Sequence, residues 1–309
     1  MTRVSYRDRL TSPLPRPLDL LRILREGGFR GPTDNADRIP VLRAGLPALE
    51  PGTSSWTWVG HSTYLVRTGG ISILTDPVWS AKIPGVPPRL TPPGLAWSDT
   101  PEIDVVVISH DHYDHLDAPT IRRLPRNTPI LVGAGLGRWF RKRGFTEVIE
   151  LDWWESADVG GVRFDFTPAH HWSRRSAVDT CRSLWGGWVI SPEQGPRSYH
   201  CGDSGYGRWF GEIGERYPDI EVAMMPIGAY EPRWFMRAVH MDPAEAVTAL
   251  ADLGARRLAA MHWGTFVLTR EPVEQPLELI RKEWAAAGLD AADLWAMAVG
   301  ETRTVRDRT

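Results

Sequence analysis

The chain has 309 residues, 42% of them hydrophobic and 24% charged, which is the composition of a soluble globular protein with room for one large domain or two ordinary ones. A formal charge of -2 supplies no broad basic field, so nucleic acid is not expected as a partner. Two cysteines, Cys181 and Cys201, make no disulfide framework, the opening from Met1 to Val4 begins no signal-like apolar run, and no stretch reaches ~18 consecutive apolar residues, so a cytoplasmic protein is expected, with peripheral contact at the inner face of a membrane left open.

Residues 1–50 are rich in Arg and Pro and read as an N-terminal extension whose one short helix, over 17–25, packs on the domain that follows. Leu18, Leu20, Leu21 and Leu24 form its apolar stripe and Gly27 and Gly28 its stop, making it either a cap on the domain or a subunit contact. Residues 51–309 carry no repeat and no low-complexity linker and read as one domain. Strands are expected over 55–59 and 62–67, broken at Gly60-His61, and over 71–75, ending in Asp76-Pro77. Residues 84–97 hold five prolines among Val86, Leu90, Leu95 and Trp97, so they form a loop: a lid, a lipid-facing edge or an ordinary packed loop.

The β-branched run 103–108 then delivers Ser109-His110-Asp111-His112-Tyr113-Asp114-His115-Leu116-Asp117. Histidine nitrogens and carboxylate oxygens are what Zn²⁺ takes at catalytic sites. His110 and His112, at i and i+2, share one side of an extended segment, and Asp114 and His115 turn toward a second point. This HxHxDH spacing reads as the start of a two-metal site, against the alternative of a polar loop that happens to be rich in His. His61 either approaches the metals or hydrogen-bonds the loops around them. Asp76 either orients a ligand histidine from behind or simply makes a turn.

Beyond the motif, helices over 118–124 and 136–143 alternate with strands over 129–132 and 147–151, as in an α/β layered domain. Three more strand ends supply candidate ligands. The strand 162–167 runs to His170 and His171, one of which should complete the first metal. The strand 197–201 runs to Gly202-Asp203-Ser204-Gly205, whose carboxylate could bridge two metals, and 257–261 runs to His262. Fifteen tryptophans fill a core, a substrate wall or a membrane-facing surface. Trp234, Phe235 and Met236, with Trp209 and Phe210 nearby, are either core or such a surface.

The order HxHxDH, His, Gly-Asp-Ser-Gly, His resembles the metallo-β-lactamase superfamily. Residues 55–305 more narrowly resemble the N-acylphosphatidylethanolamine-hydrolysing phospholipase D family. The likeness rests on Trp58-Val59-Gly60-His61, Leu74-Thr75-Asp76-Pro77, Glu150-Leu151-Asp152-Trp153-Trp154-Glu155 and Pro226-Ile227-Gly228-Ala229-Tyr230-Glu231-Pro232-Arg233-Trp234-Phe235-Met236. His240-Met241-Asp242-Pro243 and His262-Trp263-Gly264-Thr265-Phe266 add to it.

The resemblance implies a four-layer αββα sandwich of the α/β class (the metallo-β-lactamase fold) and two Zn²⁺ per chain. His110, His112 and His171 would hold one zinc, Asp114, His115 and His262 the other, with Asp203 between them. His171 is preferred to His170 because the family's ligand directly precedes the Trp, here Trp172. His240 would face the substrate phosphate, with Tyr113 in the same pocket and Asp76 at the site. The implied activity is zinc-dependent phosphodiester hydrolysis, in which a metal-bridging hydroxide cleaves N-acylphosphatidylethanolamine to N-acylethanolamine and phosphatidate. The partners implied are a small-molecule or lipid phosphodiester, a membrane surface and a second copy in a homodimer. The alternatives are a hydrolase of the same fold acting on another soluble phosphodiester, a lactone or a thioester, and a non-catalytic, metal-stabilised binding protein.

Overall fold

A computed structural model describes residues 4–306. Residues 1–3 and 307–309, where the reading of Met1 and the outer limits of both expected segments fall, lie outside the described residues. In chain order the elements are α1 (Pro17–Arg25), β1 (Thr53–Gly60), β2 (Thr63–Thr68), β3 (Ile71–Thr75), β4 (Val105–Ile108), α2 (Ala118–Ile121) and β5 (Ile130–Gly133). There follow α3 (Gly137–Arg141), β6 (Val148–Leu151), β7 (Ser156–Val159), β8 (Val162–Thr167), β9 (Gly187–Pro192), β10 (Arg197–His200) and α4 (Trp209–Arg216). The chain continues with β11 (Ile220–Pro226), α5 (Arg233–Met236), α6 (Pro243–Leu253), β12 (Arg257–Met261), α7 (Gln275–Ala286), β13 (Leu294–Trp295) and β14 (Thr302–Arg306).

Two seven-stranded sheets result, ordered β14-β1-β2-β3-β4-β5-β6 and β13-β12-β11-β10-β9-β8-β7. Each passes from antiparallel pairing at one end to parallel pairing at the other. The parallel strands need both faces covered, and β4 has the composition for it. Val105 and Val107 enter the core between the sheets with Trp56, Phe166 and Trp188. Val106 and Ile108 enter a second core beneath α2 and α3, with Ile121, Leu124 and Phe140. On the far side Phe210, Ile213, Leu250, Leu253, Ile280 and Trp284 pack α4, α6 and α7 on the second sheet. Helices therefore flank both sheets, and the fold is the α/β sandwich expected from the sequence.

Buried tryptophans bridge the layers with their indole N–H groups, each of which needs an acceptor out of water. Trp56 donates to Ser198 Oγ, Trp188 to the Ile108 carbonyl, and Tyr64 Oη to the Ala260 carbonyl across the same gap. Trp209 and Phe210 are buried on α4, where Trp209 packs against Trp153 and Trp154. The proline-rich segment folds inward: Ile83 and Leu95 are buried, and Trp79 Nε1 donates to the Leu95 carbonyl.

In α1 only Ile23 is buried, while Leu18 and Leu24 are 71% and 69% exposed and Leu20 and Leu21 are exposed as well. The helix is held instead by its C-terminal end. The Arg270 guanidinium donates to the Ile23 and Gly28 carbonyls and pairs with Glu26. The Arg22 guanidinium lies 4.0 Å from the ring centre of Trp234, itself 40% exposed, and Phe29 meets Phe235. No helix among the described residues is long and apolar enough to cross a membrane.

Candidate metal centre

Strand ends from both sheets converge at one edge of the sandwich. The residues after β4 supply His110, His112, Asp114 and His115; those after β8, β10 and β12 supply His171, Asp203 and His262. His110 Nε2 lies 2.9 Å and His171 Nε2 3.2 Å from His112 Nδ1, with Asp203 Oδ2 3.9 and 3.8 Å from the first two. On the other side Asp203 Oδ2 is 3.2 Å from His115 Nε2 and Oδ1 is 3.2 Å from His262 Nε2. Asp114 Oδ2 lies 3.7 and 3.5 Å from those same nitrogens. Ligand atoms sharing one tetrahedral zinc at 2.0–2.2 Å stand roughly 3.3 Å apart, so both clusters have the spacing of a cation's ligand shell. Asp203 belongs to both.

The backbone is shaped for this convergence. Gly202 has φ 62, and a Cβ there would come within 2.5 Å of the Ser109 Cβ, so only glycine lets Asp203 pass this close to the motif loop. His61, Asp76 and His262 all take left-handed φ angles of 53, 37 and 62, conformations that cost energy in residues bearing a Cβ.

Two of the imidazoles, His171 and His115, are oriented from behind by a carbonyl and a carboxylate. His171 Nδ1 donates to the Val239 carbonyl, which leaves Nε2 with its lone pair toward the cluster. His115 Nδ1 donates to Asp76 Oδ2 at 2.8 Å, which turns Nε2 toward the cluster. Asp76 is fully buried and also accepts from the Ser109 N–H, Ser109 Oγ and His200 Nε2. Burial pushes the Asp76 carboxyl up, but His115 and His200 override it and hold it at about 2.

Burial, reinforced by neighbouring imidazoles, holds His110 well below its usual range; burial likewise dominates for His171 and lowers His112, so all three offer neutral nitrogens. At His115 and His262 burial is overcome by Asp203 and Asp114, which hold His115 well above the usual range and His262 at about 9. Two carboxylates thus face this half of the centre and call for positive charge. His115 Nε2, His262 Nε2 and Asp203 Oδ1 are buried with no hydrogen-bond partner. A divalent cation meets all three, and the donor set of nitrogen and carboxylate oxygen fits zinc.

His240 lies beside both clusters, its Nε2 4.0 Å from Asp203 Oδ2. It precedes α6, whose start is fixed by a capping box between Asp242 and Glu245, and the Arg233 guanidinium donates to its carbonyl. Burial lowers His240 to about 4. His61 is buried with Nε2 3.0 Å from Asp114 Oδ2. His170 faces away, its Nδ1 2.8 Å from Thr11 Oγ1. Tyr113 stands apart from the gathered residues: it is 37% exposed, donates to the Arg175 carbonyl and lies under the Arg175 guanidinium. Sequence reasoning did not single out Ser109 or His200. The available signal was a histidine at a strand end three residues before Asp203.

The family described as the beta-lactamase superfamily domain matches residues 72–263. The N-acyl-phosphatidylethanolamine-hydrolyzing phospholipase D 1 of Caenorhabditis elegans is 35% identical over 266 residues, covering 77% of this chain and 74% of the relative. The mitochondrial enzyme of that name from Saccharomyces cerevisiae is also 35% identical, over 74% of this chain, which spans only 52% of that relative's length. Among solved structures, a metallo hydrolase of the archaeon Ignicoccus hospitalis superposes with a TM-score of 0.63 at 28% identity, covering 82% of this chain and 98% of the other. By this match, and by the relative it covers to three quarters of its length, the chain belongs to the metallo-β-lactamase superfamily.

Proposed function

We propose that the chain is a zinc-dependent phosphodiester hydrolase of the phospholipase D type, acting on N-acylphosphatidylethanolamine. The observation that carries the reading is Asp203, one carboxylate placed between two ligand clusters with buried, unpartnered nitrogens on His115 and His262. The worm and yeast relatives, named for hydrolysing this lipid, supply the substrate class.

His110, His112 and His171 would hold one zinc and Asp114, His115 and His262 the other, with Asp203 lying between the two sets. Two zinc ions bound there supply Lewis acidity toward a phosphoryl oxygen and a water-derived nucleophile at neutral pH. The residues do the rest. Asp76 and His61 keep His115 and Asp114 turned inward. His240, lowered to about 4, is neutral at working pH and donates a hydrogen bond to the phosphodiester or its leaving oxygen. One water is consumed, the P–O bond to the ethanolamine oxygen breaks, and phosphatidate and N-acylethanolamine leave.

The amphiphilic substrate needs a route from its bilayer. The exposed leucines of α1, beside Trp234 and fringed by Arg16, Arg22 and Arg25, form a surface that enters the interface of an anionic membrane at the cytoplasmic face. Mass-spectrometric product analysis with zinc-loaded protein and N-acylphosphatidylethanolamine in mixed micelles tests the proposal, with a soluble aryl phosphodiester in parallel and Asp203→Asn as the blank. Release of both lipid products, absent in the variant, is expected. Cleavage of the soluble diester alone removes the lipid substrate from the reading, and full activity of Asp203→Asn removes the site.

A further inference from the structure

We infer that His200 is a positioning residue for the metal centre, pinning Asp76 from the second sheet so that Asp76 can orient His115. The inference rests on the roles of Asp76 and His115 proposed above.

His200 ends β10, in the sheet opposite the motif strand β4, and is fully buried. Its Nε2 lies 3.0 Å from Asp76 Oδ2, the oxygen that also takes His115 Nδ1 at 2.8 Å and Ser109 Oγ at 2.6 Å. The remaining oxygen accepts the Ser109 N–H at 2.7 Å. Ser109 and His115 both follow β4, so they hold Asp76 from its own sheet alone. The His200 bond comes from across the sandwich and fixes the carboxylate against rotation in that second direction. A buried carboxylate without water depends on such donors for its orientation, and His115 takes its own orientation from the carboxylate.

The state of the other ring nitrogen argues against a role in packing alone. Nε2 is taken up by Asp76, and the other nitrogen, Nδ1, is buried with no partner. As a core filler an imidazole with an unpartnered polar nitrogen is worse than a phenyl ring of similar shape. A position that breaks this local rule within one hydrogen bond of a ligand's support is accounted for by what the ring does for Asp76.

The test compares full-length His200→Phe, His200→Gln and Asp76→Asn with wild type, reading zinc affinity by chelator competition and the thermal midpoint of the metal-free protein. His200→Phe should bind its weaker zinc about 10–100-fold less tightly while the metal-free midpoint stays at or above wild type. His200→Gln, which keeps a donor, should recover part of the affinity. If His200→Phe holds both zincs as wild type does while Asp76→Asn does not, the inference is overturned and the role of Asp76 survives. Wild-type affinity in Asp76→Asn overturns that role itself. An affinity loss that merely tracks a falling metal-free midpoint, with no recovery in His200→Gln, reduces His200 to packing and overturns the inference as well.

Discussion

The imidazole of His61 reaches across 53 positions of sequence to Asp114, placing Nε2 3.0 Å from Oδ2. His61 is itself held on three sides. Its N–H donates to Thr265 Oγ1, and its carbonyl accepts from the Trp58 indole and from the His262 N–H. Burial, together with His262, lowers His61 to about 3, so the ring is neutral and gives its one N–H to the carboxylate.

Replacing His61 by Ala should therefore loosen Asp114 without removing a ligand. Zinc affinity at the site of Asp114, His115 and His262 should fall about 10–100-fold, as for other outer partners of metal ligands. Isothermal titration of the metal-free protein measures this directly. An unchanged isotherm would show that Asp114 needs no such support.

His240→Ala should lower kcat by about 10²–10⁴ while zinc content, read by elemental analysis, stays at the wild-type value. Because His240 sits at about 4, the wild-type rate should show no step from its protonation between pH 5.5 and 8. Loss of zinc from the variant would make His240 a ligand instead.

The metal-free protein should be less stable at pH 9 than at pH 6.5. His262 is raised from 6.5 to about 9, so its stabilising proton is fully bound below pH 6.5 and is lost as pH rises through about 9. His115 is raised in the same direction, whereas His61 and His240 are lowered and act only in acid. The His262 contribution is on the order of 3 kcal/mol at most. Thermal melts across this window should show the fall without metal and little of it with zinc bound. A rising midpoint would refute the assignment.

Leu18→Glu with Leu24→Glu should weaken binding to anionic phospholipid vesicles. Taking two partly inserted leucines out of the interface costs about 2 kcal/mol, roughly thirtyfold in partitioning. Turnover of a soluble phosphodiester should be unaffected, because neither side chain approaches the metal centre. Equal sedimentation of wild type and variant with vesicles would rule the helix out as the docking face.

Much of the site was legible because its residue types are scarce. Nine histidines occur in the chain, and eight of them lie in the two clusters, beside them as His240 does, or on Asp76. A scarce residue at the end of each apolar run is visible without coordinates. A layered α/β domain followed from strands such as Val105–Ile108, apolar on both faces and alternating with helices, whereas the four-layer sandwich came from the family resemblance. What could not be read was pairing over distance: His200 and Asp76 are 124 positions apart and in different sheets. The adjacent His170 and His171 diverge because neighbours in extended chain face opposite ways, and spacing alone does not say which way is in. In α1 the period identified the apolar face but not what covers it; only the bonds from Arg270 reveal that the helix is tethered by its end. Tyr113 looked like part of the motif, yet its hydroxyl follows Arg175.

Drawing ligands from the ends of strands in both sheets also sets a schedule for biosynthesis. His110 leaves the ribosome about 150 residues before His262, an interval on the order of 8–30 s at ordinary rates of translation. For most of that time the nascent chain carries the HxHxDH segment without Asp203 or His262, an incomplete chelator exposed to whatever divalent ion is most available. The full ligand set exists only once strands of both sheets are in place, so tight metal retention would report completed folding of the whole domain.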